Sequence, residues 1–198
     1  MESPKSPEAT DPTDLPLSAL FRGLIAKTGE EPSREDLQDT WNHRAPEAWE
    51  TLTEGYHDEA KPAMTAFDAT HDGLVVKTDI PFYSLCEHHL LPYFGTVDIG
   101  YVPNGSVVGI SKLIRYTRWR ARRLTIQERL TREIAAGLED EIGAEGVIVR
   151  IEGEHLCEAM RGVETPDTRT ITTASTGVLE SDGEAAHLRD EFHGHIQS

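Results

Sequence analysis

The chain has 198 residues, of which 35 are acidic and 19 basic, and its formal net charge at pH 7 is −16. This length suits one domain with appendages, and no apolar run approaches the roughly 18 residues that a membrane-spanning helix needs. An acidic surface disfavours nucleic acids and anionic membranes as partners. With no signal-like start and only two cysteines, we expect a cytoplasmic, reducing location. The charge also suits a high-salt cytoplasm, where ions screen repulsion, and predicts a halophilic source.

The first part of the sequence is predicted to be helical after a disordered tail. Residues 1–16 are rich in Pro, Ser, Asp and Glu, which is typical of disorder. A helix is expected at 17–27, and Ser33 is the expected N-cap of a second helix that extends toward Tyr56, with Pro46 as a potential break. We therefore expect a tail at 1–16, a helical segment at 17–56 and the main domain at 57–198.

The main domain alternates between strand and helix patterns. Ser111 and Thr125 are expected N-caps of two consecutive helices, and Glu128 lies three residues after Thr125, as in a capping box. The order strand–strand–helix–helix–strand–strand indicates an α+β fold, with an antiparallel sheet, helices on one side and further helices before it. Strands are predicted at 73–82, 94–102, 146–154 and 168–178, and a last helix at 181–196; residues 107–110 form a short apolar run.

The two cysteines each lie close to histidine, Cys86 near His88 and His89, and Cys157 near His155. Because two residues separate Cys86 from His89, one turn can aim both at a common point. Zinc takes thiolate and imidazole ligands, and three protein ligands with an open position mark a catalytic site. Cys86, His89 and Cys157 are therefore candidate zinc ligands, with His88 and His155 as proton-transfer groups. A disulfide, two inert buried thiols or core histidines are the alternatives.

Positive charge is concentrated in one segment of this acidic chain. Eight of the 19 basic residues fall between Lys112 and Arg132, where Glu128 is the only acid. Arginine forks match phosphate oxygens, so the segment is a candidate anion site. A solvated helix face or a subunit contact would have the same composition.

Four ordered motifs resemble those of the GTP cyclohydrolase I family, and the resemblance covers roughly residues 44–196. The motifs lie at Ser84–His89, Gly109–Arg115, Gln127–Leu130 and His155–Gly162. The resemblance implies the tunnelling fold (T-fold), with a ββααββ core. It also implies a toroidal homo-oligomer, commonly a decamer, with active sites between subunits.

The activity that the resemblance implies is zinc-dependent hydrolysis of GTP. The reaction opens the guanine ring at C8, releases C8 as formate and rearranges the ribose to give 7,8-dihydroneopterin triphosphate. Cys86, His89 and Cys157 match the zinc ligands. His88 and His155 match the histidines of the proton transfers, and His155 is the implied proton donor to N7.

The resemblance also implies a set of substrate-binding residues. Glu128, with Gln127 beside it, matches the carboxylate that binds the guanine edge, because a carboxylate can accept two parallel hydrogen bonds. Glu128 could instead be only a capping residue. The residues that match the phosphate site are Ser111, Lys112, Arg115, Arg161 and Arg44.

The sequence departs from the family pattern near the phosphate residues. Trp41-Asn42-His43 precede Arg44, where Thr-Pro is common, and Glu47 stands where a lysine often occurs. Glu158 replaces the usual apolar residue after Cys157. These departures bear on phosphate binding and on the form of the product.

Three alternatives to this function share features with the sequence. A T-fold relative could form a cyclic-phosphate pterin. Other T-fold enzymes use three histidines around zinc or no catalytic zinc, and the two cysteines argue against both. A non-enzymatic purine- or pterin-binding protein with structural zinc needs a fourth protein ligand.

Overall fold

The computed structural model describes residues 11–71, 73–180, 183 and 185–196. They divide into two units, with the boundary between Thr51 and Leu52. The predicted disordered tail falls mainly on residues 1–10, which lie outside the described residues, and the domain limits at 16 and 56 stay predictions. Within the described residues, no helix is long and apolar enough to cross a membrane.

Short helices form the N-terminal unit. Helix α1 is Leu17–Lys27, as predicted; α2 is Glu35–Asp39; and α3, which extends past the boundary, is Ala45–Thr53. The N-cap of α2 is Arg34, so the expected Ser33 cap is wrong.

A π-helical turn at Thr40–Arg44 joins α2 to α3. The Ala45 N–H donates to the Thr40 carbonyl, five residues earlier. Pro46 explains this widening, because it lacks an N–H and its ring crowds the carbonyl four residues before it. The proline therefore produces a π-helical turn just before its own position, close to where the sequence predicted a potential break in the helix.

The second unit is built on a five-stranded sheet in the order β5-β2-β3-β6-β7. All neighbouring strands are antiparallel except β5, which runs parallel to β2. The strands are β1 Ala66–Asp68, β2 Val75–Cys86, β3 Pro92–Val102, β4 Ser106–Val108, β5 Leu124–Thr125, β6 Gly146–His155 and β7 Thr170–Ser175, with β1 and β4 forming a separate pair.

Four helices complete this unit: α4 Ile110–Ala121, α5 Gln127–Ile142, α6 Leu156–Ala159 and α7 Ala186–His195. The predicted last helix corresponds to α7, and residues 181, 182 and 184 lie outside the described part of the chain. The main elements follow the order β2-β3-α4-α5-β6-β7. This order confirms the predicted α+β class and the ββααββ core of the T-fold.

The core lies between one face of the sheet and helices α4 and α5. Leu130, Ile134 and Leu138 recur every four residues on α5 and are fully buried, as expected for a helix with one apolar stripe. Alternate residues of β3 and β6 face the same core, namely Val97, Ile99, Tyr101, Val147, Val149 and Ile151. On the opposite face, Phe192 of α7 clusters with Ile148.

The starts of α4 and α5 differ from the predicted caps. Gly109 and Ile126 are the N-caps, and neither helix start has a side-chain cap. Thr125 cannot cap α5 because it pairs with Cys86 in β5, and its hydroxyl donates to the Ile126 carbonyl. The predicted capping box is therefore absent. The exposed Glu128 carboxylate makes no hydrogen bond among the described residues.

Candidate active site

The turn between β2 and β3 holds Cys86 and His89 together. The Cys86 N–H donates to the Leu91 carbonyl at 2.9 Å, and the Leu90 N–H donates to the Cys86 carbonyl at 2.8 Å. Leu90 has a φ of 56°, a left-handed conformation that costs roughly 1–2 kcal/mol for a residue with a side chain. The turn places the Cys86 Sγ atom 3.5 Å from His89 Nδ1.

Strand register brings the second cysteine to this turn. In the pairing of β3 with β6, Tyr93 lies opposite His155. The segment that follows His155 therefore lies beside the turn that precedes β3. Cys157 is in α6, directly after β6, and the ligand atoms of Cys86, His89 and Cys157 all lie within 4.8 Å of one another.

These three residues could hold a metal ion. Both cysteines are free thiols, and two sulfur atoms with one imidazole nitrogen are a donor set that zinc accepts. Burial, and then the neighbouring Cys86, raise the pKa of the Cys157 thiol. A divalent cation would oppose this rise in pKa, because it stabilises the thiolate form of cysteine directly.

His155 is held by a buried amide. Its Nε2 atom lies 2.9 Å from Oε1 of Gln127, whose side chain is 1% exposed. The Gln127 amide nitrogen donates to the carbonyls of Ile151 and Thr170, at 3.2 and 2.9 Å. Gly153 leaves room for the amide, since a Cβ there would lie 2.4 Å from Gln127 Oε1.

This network assigns the tautomer of His155. The two carbonyls accept from the Gln127 amide nitrogen, so the amide oxygen must face the histidine and accept from it. Nε2 of His155 therefore carries a hydrogen, and Nδ1 is the atom that can gain or lose a proton. The ring also stacks on Tyr93, with centroids 4.7 Å apart and planes 2° from parallel.

Burial lowers the pKa of His155, and the Glu158 and Glu128 carboxylates oppose that shift. The imidazole is therefore mainly neutral at pH 7. Glu158, which departs from the family pattern, therefore favours the protonated form of His155. Glu158 also accepts a hydrogen bond from the Thr165 hydroxyl.

The side chain of His88 is 64% exposed, and its Nε2 lies 3.8 Å from Glu87. Glu87 itself forms a bidentate ion pair with Arg129 of α5. The pair joins the turn that carries Cys86 and His89 to the helix that carries Gln127 and Glu128.

The predicted phosphate residues are on other elements of the chain. Ser111, Lys112 and Arg115 are on α4, and Arg161 is in the turn after α6. Arg44 belongs to the N-terminal unit, where its guanidinium is 3.6 Å from Asp39. Among the described residues, no hydrogen bond or ion pair joins these five to the thiol and imidazole ligands.

Sequence reasoning did not find the roles of Arg129, Tyr93 and Gly153. For Arg129 the sequence did contain a signal, because this residue directly follows Glu128 in one of the four motifs. The contacts of Tyr93 and Gly153 depend on the register of β3 with β6, and a single sequence carries no direct signal for that register.

Comparison with known proteins places this site in a family. The GTP cyclohydrolase I family model matches residues 17–197. GTP cyclohydrolase 1 from Streptococcus sanguinis (strain SK36) is 42% identical over 180 residues, covering 90% of this chain and 97% of that protein. The Homo sapiens GTP cyclohydrolase 1 is 39% identical over 195 residues, covering 96% of this chain and 76% of that protein.

Among solved structures, the apo form of the archaeosine synthase QueF-Like aligns with a TM-score of 0.42 and 15% identity, over 55% of this chain and 97% of that chain. The sequence identities to these relatives and the match of the family model to residues 17–197 of this chain establish the relationship. The chain belongs to the GTP cyclohydrolase I family.

Proposed function

We propose that the protein is a zinc-dependent GTP cyclohydrolase that hydrolyses GTP at C8, releases formate and forms 7,8-dihydroneopterin triphosphate. The observation that carries the proposal is the convergence of Cys86, His89 and Cys157 beside a His155 held in one tautomer. Family membership supplies the substrate.

Cys86, His89 and Cys157 are the proposed zinc ligands. Bound zinc acts as a Lewis acid that activates water near neutral pH. A structural zinc site takes four protein ligands, whereas the group found among the described residues has three. This count supports a catalytic site over a structural one.

His155 is the proposed proton donor to N7 of guanine. Gln127 occupies its Nε2 atom, so the proton moves through Nδ1. Because burial keeps the imidazole mainly neutral, Nδ1 must first take up a proton, and the imidazolium so formed, whose pKa is lowered, gives that proton up readily. His88 is exposed and is proposed for later proton transfers at the opened ring.

Glu128 is the proposed guanine-binding residue. Its carboxylate is exposed and makes no hydrogen bond within the described part of the chain, so both oxygens are available for N1–H and the 2-amino group. Its charge acts on His155, which supports a position near the proposed N7 proton donor.

For the triphosphate we propose Ser111, Lys112, Arg115, Arg161 and Arg44. We also propose a toroidal homo-oligomer, with sites between subunits, in the cytoplasm. Within the described part of the second unit, Ser111, Lys112, Arg115 and Arg161 form no hydrogen bond or ion pair with the ligand group, which is consistent with a site completed by a second copy.

The proposal is tested by incubating the purified protein with zinc and GTP and measuring formate and the fluorescent oxidised pterin. We expect both products in equal amounts. Glu128→Ala should lower kcat/KM about ten- to a hundredfold, because a charged hydrogen-bond partner contributes about 1.5–3 kcal/mol. Absence of formate from the zinc-loaded wild type would reject the proposed activity.

A further inference from the structure

A cavity of about 310 Å³ lies beside helix α4. Two arginines of that helix line it, three residues apart and so on one helix face, and a third arginine lines it from the C-cap of the helix. The lining includes Arg115, Arg118, Arg122, Trp119, Pro62 and Glu54.

The charge of this cavity is only partly neutralised. Arg122 pairs with Glu54, the one acid in the cavity wall. Arg115 and Arg118 are exposed and form no ion pair among the described residues. On a chain with a net charge of −16, two adjacent guanidinium groups therefore remain available to an anion.

A tryptophan in this cavity wall is buried and packed against two further arginines. Trp119 is 5% exposed, and the guanidinium carbons of Arg120 and Arg123 lie 4.9 and 4.7 Å from the centre of its ring. Arg123 also donates to the Gly55 carbonyl at 2.6 Å. These arginines are used in packing, whereas Arg115 and Arg118 are not, and a preorganised wall lowers the cost of binding.

We infer that Arg118 is a further phosphate-binding residue, which acts with Arg115 on the polyphosphate of a nucleoside triphosphate. This inference rests on the proposed function, in which Arg115 already binds the triphosphate. A guanidinium fork donates two parallel hydrogen bonds to phosphate oxygens. Arg118 lies one helical turn beyond Arg115 and lines the same cavity, so the pair can hold successive phosphate groups.

The test uses Arg118→Ala in the full-length, zinc-loaded protein. Arg132→Ala is the matched control, because Arg132 is exposed on α5, lines no described part of this cavity and forms no ion pair among the described residues. Both variants remove one positive charge, so they change the long-range field equally. The measurements are KM and kcat for GTP, calorimetric titration with inorganic tripolyphosphate, and the mass of the assembly.

We expect Arg118→Ala to raise the KM for GTP and the Kd for tripolyphosphate about tenfold, and Arg132→Ala to leave both nearly unchanged. Equal values for the two variants would overturn the inference, as would a changed assembly mass with unchanged tripolyphosphate affinity. If the wild type binds tripolyphosphate through Arg118 but converts no GTP, the anion site stands and the proposed activity fails.

Discussion

At the scale of single residues, the hydrogen bond from His155 to Gln127 determines which ring nitrogen can exchange a proton. We predict that Gln127→Leu lowers kcat at least about tenfold, which is a part of the roughly 10²–10⁴-fold that general acid–base catalysis contributes, with little change in KM or zinc content. The reason is that Nε2 loses its acceptor and the ring is free to adopt the other tautomer. Steady-state kinetics give kcat and KM, and metal analysis gives the zinc content.

Gly153→Ala tests the same contact without altering Gln127, because the new Cβ would lie 2.4 Å from the amide oxygen. It should reproduce the loss in kcat. Gly23→Ala is the matched control, since a Cβ there meets nothing within 4 Å. A raised KM with normal kcat in Gln127→Leu would instead make Gln127 a substrate-binding residue, as the sequence predicted.

The metal ligands lead to a second residue-scale prediction. Cys157→Ser should abolish zinc binding, expected at one ion per chain, together with formate release. The far-ultraviolet circular dichroism should change little, because Cys157 is only partly buried and packs at the edge of the core. A serine hydroxyl stays protonated near neutral pH and is a poor zinc ligand. Full zinc content and turnover in this variant would remove Cys157 from the site.

At the scale of elements, the ion pair between Glu87 and Arg129 attaches the turn that carries Cys86 and His89 to α5. Arg129 lowers the pKa of Glu87 below its ordinary 4.5, chiefly through the hydrogen bonds. A lowered pKa means that the pair is intact above about pH 4.5 and is lost as the pH falls through the folded-state value, so it is present at neutral pH.

We predict that Arg129→Met lowers the zinc affinity or kcat, in either case by about tenfold. This is the lower end of the range typical of residues that support metal ligands. Arg132→Met, one turn along α5, should have neither effect. Competition with a chromophoric chelator measures the zinc affinity without relying on turnover. Equal zinc affinity and kcat in both variants would show that the pair does not position the turn.

The strands β2, β3, β6 and β7 and the two core helices could be predicted because their apolar residues follow the periods of two and about 3.6, whereas the very short β1 and β5 could not. Helix starts could not, because tertiary contacts decide them. Thr125 has the chemistry of an N-cap but is used by β5, and Pro46 causes a π-helical turn at Thr40–Arg44. The group of Cys86, His89 and Cys157, which could hold a metal ion, followed from residue type and spacing. The roles of Gln127 and Arg129 could not be predicted, because they depend on the register of β3 with β6 and on the rotation of α5 about its axis.

At the scale of the whole molecule, the net charge of −16 opposes a substrate with about four negative charges. The proposed phosphate residues attract that substrate only at short range. Salt shortens the screening length from about 10 Å at 0.1 M to about 3 Å at 1 M. It therefore removes the long-range repulsion first and leaves contact-range attraction less affected.

We therefore predict that kcat/KM for GTP and the melting temperature both rise from low to molar KCl. The melting temperature should rise because salt also screens repulsion among the acidic side chains in the folded state. Arg161→Ala should raise the KM for GTP at every salt concentration, because it removes a contact-range hydrogen-bond partner, which salt screens less than the long-range field. Sorbitol at matched osmolarity is the control, since it adds solute without screening charge. A steady fall in activity as KCl increases would contradict the halophilic interpretation, and a wild-type KM in Arg161→Ala would exclude that arginine from the phosphate site.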